Sequence, residues 1–90
     1  MALAVYFHPA SMTKAQYDAA ITKLEEAGVG KPSGRLHHSC FGPDGNLMVF
    51  DVWDTQENFE AFGQTLMPIL GTIGIDTGQP DVMPIHNMIQ

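Results

Sequence analysis

Residues 46–62 read NLMVFDVWDTQENFEAF, a stretch that holds a strand, a helix start and an acid where an acid is costly. Leu47 to Trp53 is almost wholly apolar or β-branched, the composition of a strand covered on both faces. Strand side chains alternate with period two. Met48, Phe50 and Val52 therefore share one face, while Leu47, Val49, Asp51 and Trp53 share the other. The first set is the better match for apolar helix surfaces, so Asp51 is expected to look away from the helices, toward whatever covers the second sheet face. Asp54 with Glu57 three residues on has the form of a capping box. It ends the strand at Trp53 and opens a helix with Phe59, Phe62, Leu66, and Ile69 or Leu70 on one face. Pro68 lacks an N–H and crowds the preceding turn, which predicts a kink or break there.

Upstream, Ala2 to His8 alternates Leu3, Val5 and Phe7 against Ala4, Tyr6 and His8, a short strand closed by Pro9. Thr13 and Gln16 make a capping box, with Met12 and Tyr17 at the positions of a hydrophobic staple. Tyr17, Ala20, Ile21, Leu24 and Ala27 then recur at helical spacing, and Gly28 stands at the stop. Arg35 to Phe41, RLHHSCF, is the most polar strand and suits a sheet edge. Gly42-Pro43-Asp44-Gly45 returns it onto the central strand as a hairpin with a loop of four residues, or of three. After a loop over 73–80, Val82 to Ile89 forms a last strand. The order β-α-β-β-α-β is the split pattern of a ferredoxin-like α+β fold, a four-stranded antiparallel sheet with both helices on one face. A second copy of the sheet would cover the other face.

With 90 residues the chain reads as one domain, and so small a core is marginal on its own. Apolar residues make up 44% and charged residues 16%, too few to clothe a monomer, so an oligomer is expected. Four basic residues against ten acidic ones, a formal charge of −6, build no phosphate-tracking stripe. Nucleic acid and anionic membrane are therefore not expected partners. A lone Cys40 forms no internal disulfide, MALAVYFHPA lacks the basic flank of a secretion signal, and no apolar run reaches membrane-spanning length. A cytoplasmic protein is expected.

Asp51 in a buried strand would cost several kcal/mol if ionised and unpaired, so it is paired, protonated or at a wet pocket. Acids so perturbed mark sites as often as structure. Trp53 shares its face, as a core or interface tryptophan or as a stacking surface for a substrate. His8, His37, His38 and His86 show none of the spacings of a zinc site. No metal or cofactor is expected, since a Gly-rich phosphate loop is also missing. Neighbours on a strand diverge, so only one of His37 and His38 faces Asp51. A four-residue hairpin loop selects His38, a three-residue loop His37.

FDVWDTQENFEAF at 50–62, GRLHHSC at 34–40 and VMPIHNMI at 82–89 resemble the small dimeric α+β barrel proteins related to the antibiotic-biosynthesis monooxygenases. The resemblance implies a homodimer in which two sheets close a barrel. It also implies a pocket, inside the barrel or between sheet and helices, for a small apolar or aromatic molecule. Members include cofactor-free oxygenases of polyphenols, lactone isomerases, polyketide cyclases, haem-degrading enzymes and proteins of no known activity, and fold alone does not choose among them. It favours His38 over His37, because relatives carry an aromatic at the first position and a histidine at the second. The expected site is thus a proton-moving pair, His38 and Asp51, with Trp53 and His86 contacting substrate. A cofactor-independent monooxygenase, isomerase or cyclase would use such a pair. The alternative is a non-catalytic dimeric ligand-binding or stress-associated protein.

Overall fold

The computed structural model describes residues 2–90. Its elements are β1 (Leu3–Phe7), α1 (Lys14–Glu26), β2 (Arg35–Phe41), β3 (Met48–Trp53), α2 (Gln56–Ile73) and β4 (Asp81–Pro84). The strands form one antiparallel sheet in the order β2-β3-β1-β4, the ferredoxin-like arrangement with β2 at an edge.

Thr13 caps α1 with both halves of the capping box formed, and the chain leaves the helix through Gly28 at φ 77°. For α2 the cap is Thr55, one residue later than the sequence suggests, its hydroxyl accepting from Asn58 N at 3.1 Å. Asp54 is instead held at the strand end, its N–H donating to Gly34 O at 2.8 Å and its carboxylate accepting from Asn58 Nδ2 at 2.9 Å. That amide hydrogen bond, first among the causes, draws the half-buried Asp54 carboxyl below its usual pKa. The expected break at Pro68 does not occur, and α2 runs through it. Gln64, the carbonyl that loses its partner, and Pro68 both lie on the exposed side, where water substitutes. The last strand is shorter than expected. Ile85 makes one more bond, N–H to Ala2 O at 2.9 Å, and the chain then leaves the sheet after Pro84 has removed a donor.

The hairpin follows neither loop length expected for it. Phe41 pairs with Met48, so residues 42–47 form the connection, folded by a tight turn in which Asn46 N–H donates to Pro43 O at 2.9 Å. The extra length is used to dock the loop on the first crossover. Leu47 N–H donates to Met12 O, and Asp44 accepts from the Lys14 N–H at the start of α1. The shift is even, so the parity is that of the four-residue loop and His38 pairs with Asp51.

The faces of β3 are the reverse of those expected. Val49, Asp51 and Trp53, with Val5 and Phe7 of β1, lie under the helices, and Met48 and Phe50 with Tyr6 line the open face. The aromatic residues of α2 explain this. Phe59 and Phe62 pack on the fully buried Trp53 ring at centroid distances of 5.8 and 5.4 Å, and Phe7 meets Phe59 at 6.3 Å. Seating the largest side chain against two aromatic rings outweighs the penalty for the acid two residues before it, which the structure satisfies with hydrogen bonds.

Candidate functional site

Four polar side chains from three elements are linked beneath the helices. β3 supplies Asp51, 3% exposed, and Trp53. β2 supplies His38, whose Nδ1 lies 2.5 Å from Asp51 Oδ1. Trp53 Nε1–H donates to Asp51 Oδ2 at 3.3 Å. α1 supplies Tyr17, whose hydroxyl lies 2.6 Å from His38 Nε2, with the two rings nearly coplanar at 7°.

Burial, aided by the Cys40 thiol and the Asp51 and Asp18 carboxylates against the opposing pull of Arg35, pushes the Tyr17 phenol up to about 12. Tyr17 is therefore a neutral O–H donor at ordinary pH. With an acceptor-only carboxylate at one end and a phenol at the other, the polarity of the chain follows. Tyr17 O–H donates to Nε2, and Nδ1–H donates to Asp51. Cys40, on the same strand face as His38, has its thiol raised by burial and then by Asp18. No buried side-chain polar atom among the described residues lacks a partner.

A fifth group arrives by an irregularity. The β2–β3 ladder slips between Arg35 and His37, so Arg35 pairs with Trp53 while His37 pairs with Val52. Without that bulge Arg35 would lie opposite His38 in parity; with it, both point to the helix side. The Arg35 guanidinium lies 5.8 Å from the Phe62 ring centroid, and its Nη2 donates to Gly30 O at 3.1 Å. Gly34 makes the approach possible. It holds φ 88°, and an added Cβ would collide with the side chains of Asp54 and Asn58.

These residues border two spaces. The inner one, about 60 Å³, is lined by Tyr17, Arg35, His38 and Asp51 together with apolar residues such as Met12, Phe62 and Leu70. The outer one is an open groove of about 720 Å³ between α1 and the β2 edge, where Asp18, Glu25 and Lys31 join Tyr17, Arg35 and His38. Tyr17, Ile21, Arg35 and His38 belong to both, and so form the partition between them.

The sequence-predicted residues are thus distributed unequally. His38 and Asp51 meet. Trp53 reaches the carboxylate through its N–H, but its ring is enclosed by Phe59 and Phe62 and is not a wall of the inner cavity. His86 lies on the far side of the sheet, exposed, in a shallow groove with Ala4, Phe50 and Val52. It meets neither Asp51 nor His38, because the faces of β3 are reversed. His37 tilts against Phe50 on that same face, and His8 pairs with Asp81 at 3.3 Å on the surface. Tyr17 and Arg35 have no role in the expected site. Tyr17 reads as a staple, although a tyrosine on a sheet-facing helix stripe needs a partner for its hydroxyl. Arg35 is concealed by the bulge. Among the described residues no three His, Cys, Asp or Glu side chains come together as metal ligands, and no helix is long and apolar enough to cross a membrane.

No family model matches the sequence, and no curated protein matches it. Solved structures do. SnoaB, a cofactor-independent oxygenase from Streptomyces nogalater, superposes with a TM-score of 0.68 at 12% identity, over 98% of this chain and 95% of that one. In fold, the chain resembles the antibiotic biosynthesis monooxygenases. The ActVA-Orf6 monooxygenase of Streptomyces coelicolor, solved with nanaomycin D, matches with a TM-score of 0.55 at 20% identity, over 99% of this chain and 91% of that one. At these identities the likeness concerns the fold.

Proposed function

We propose that the pocket between sheet and helices is a proton-transfer site of a cofactor-independent monooxygenase acting on a phenolic or enolisable small molecule. The carrying observation is the hydrogen-bonded series Tyr17–His38–Asp51 at the border of an apolar cavity. As a substrate hydroxyl or activated C–H gives its proton to the Tyr17 oxygen, the Tyr17 proton passes to His38 Nε2. Asp51 balances the resulting imidazolium. The substrate anion then supplies electrons to dioxygen. In the conversion of a CH₂ to a carbonyl, one oxygen atom enters the carbon and the other leaves as water, with both hydrogens drawn from the substrate. The same first step would serve an isomerase or cyclase without oxygen. That the fold is shared with SnoaB, a cofactor-independent oxygenase, supports the oxidative version.

Pockets for drug-sized ligands commonly run to about 300–1,000 Å³, so the inner cavity of about 60 Å³ admits only the reacting edge of an aromatic molecule. The remainder would lie in the outer groove. A ligand-binding protein without turnover is the second reading, favoured by how completely the polar series satisfies itself. Oxygen uptake with a panel of quinol-type substrates separates the two. Uptake that falls about 100-fold or more in His38→Gln supports the oxygenase, in line with the usual worth of a positioned acid or base. Uptake indifferent to that change, or none with any quinol while ligand still binds, removes it.

A further inference from the structure

Arg35 is the only arginine of the chain, and it is placed with unusual care for a residue at the start of an edge strand. A bulge turns it inward, a left-handed glycine with no room for a side chain precedes it, and an aromatic ring lies under its guanidinium. Yet its charge has no carboxylate partner. Among the described residues the close pairs of a basic with an acidic side chain are His8 with Asp81 and His38 with Asp51, and the one hydrogen bond the Arg35 side chain makes is to a backbone carbonyl. A guanidinium has five N–H donors in a planar fork. Most of that fork is left for something else.

It stands where a ligand would have to pass, in the partition shared by inner cavity and outer groove beside Tyr17 and His38. Lys31 adds a second positive charge at the outer groove, and Asp18 and Glu25 line the same groove with two negative ones. The lining as a whole is balanced in charge, so the case for an anion rests on Arg35 itself, which among the described residues is paired with neither of those acids and keeps free donors at the partition. The planar fork fits a carboxylate through two parallel hydrogen bonds.

We propose that Arg35 is an anion-anchoring residue and that the pocket takes aromatic or enolic acids, a carboxylate on Arg35 in the groove and the acidic hydroxyl on Tyr17. This rests on the proton-transfer reading of the same pocket, and it adds a substrate class to that reading.

The test uses 1-hydroxy-2-naphthoic acid and its methyl ester, matched in ring and hydroxyl, titrated into untagged protein by calorimetry. The acid should bind at least about tenfold more tightly than the ester, the factor expected of a charge-assisted forked pair. Arg35→Gln should abolish the preference, and Arg35→Lys should restore part of it. Because there is one arginine, its Nε–H gives a single resonance, which should shift on adding the acid and stay fixed on adding the ester; this readout needs no variant to fold. Equal affinity for acid and ester, or an unmoved Arg35 resonance at saturation by the acid, overturns the proposal. Proton transfer is judged separately, by oxygen uptake in His38→Gln. A preference for the acid without turnover therefore leaves the anchor standing and removes the oxygenase, and turnover without the preference does the opposite.

Discussion

Asp51 accepts from His38 on one oxygen and from the Trp53 indole on the other, so its two neighbours are both donors. Asp51→Asn keeps the volume but puts an NH₂ against one of them, leaving a buried donor unmatched at a cost of about 1–3 kcal/mol. The folded state should survive that loss, while proton transfer should not. A urea transition displaced by far more than this, or turnover unchanged, would show that the acid serves packing. Tyr17 makes a second claim at this scale. Its phenol is raised to about 12, chiefly by burial. The neutral form is thus favoured by folding, and the associated stability is complete below the unfolded pKa near 10 and lost as pH climbs from about 10 to 12. Allowing for the part of the ring that water screens, the loss is roughly 1 to 2 kcal/mol. Thermal melts across that window should fall more steeply for the wild type than for Tyr17→Phe; parallel curves would remove the assigned shift.

At the scale of elements, the β2 bulge and the Gly34 turn that precedes it govern what faces the cavity. Gly34→Ala meets both a left-handed φ of 88° and the side chains of Asp54 and Asn58, whereas Gly45→Ala meets the same φ with nothing nearby. Both lose the glycine's conformational freedom, about 1 kcal/mol, and Gly34→Ala should cost a further 1–2 kcal/mol or so for the clash. Equal denaturation midpoints for the two variants would refute the close approach. The legible and illegible parts of the sequence divide along this line. The helices, the order of strands and the capping box at Thr13 follow from local periodicity and side-chain hydrogen bonds, which act over three or four residues. Pairing of His38 with Asp51 was a matter of parity, and parity survives a loop of six residues as well as one of four. A bulge carries no such local signature in RLHHSCF. The orientation of β3 was decided by which apolar set Phe59 and Phe62 prefer, a contact between segments that periodicity within either one does not contain.

For the whole molecule, the open sheet face is the outstanding feature. Phe41 and Met83 are 43% and 56% exposed there, next to Tyr6, Met48 and Phe50. A second copy laid face to face would cover them, so sedimentation should return a dimer of about twice the 9.8 kDa chain mass. Phe50→Asp, which leaves the helix-side core intact, should give a folded monomer. A wild type that sediments as a monomer at micromolar concentration would leave that apolar face without a partner. His86 and the segment after β4 lie on the same face, so in such a dimer they would belong to the barrel interior rather than to the proton-transfer site.

Trp53 is the only tryptophan, and its indole N–H is hydrogen bonded to the carboxylate that orients His38. The protein therefore contains its own optical reporter, wired to the charge state of the polar series. Any proton that settles on His38 changes the field at the indole across two hydrogen bonds, and any ligand that rearranges Tyr17 does so across three. Emission from a single buried fluorophore should consequently follow occupancy of the pocket in real time, without a label and before any product is known.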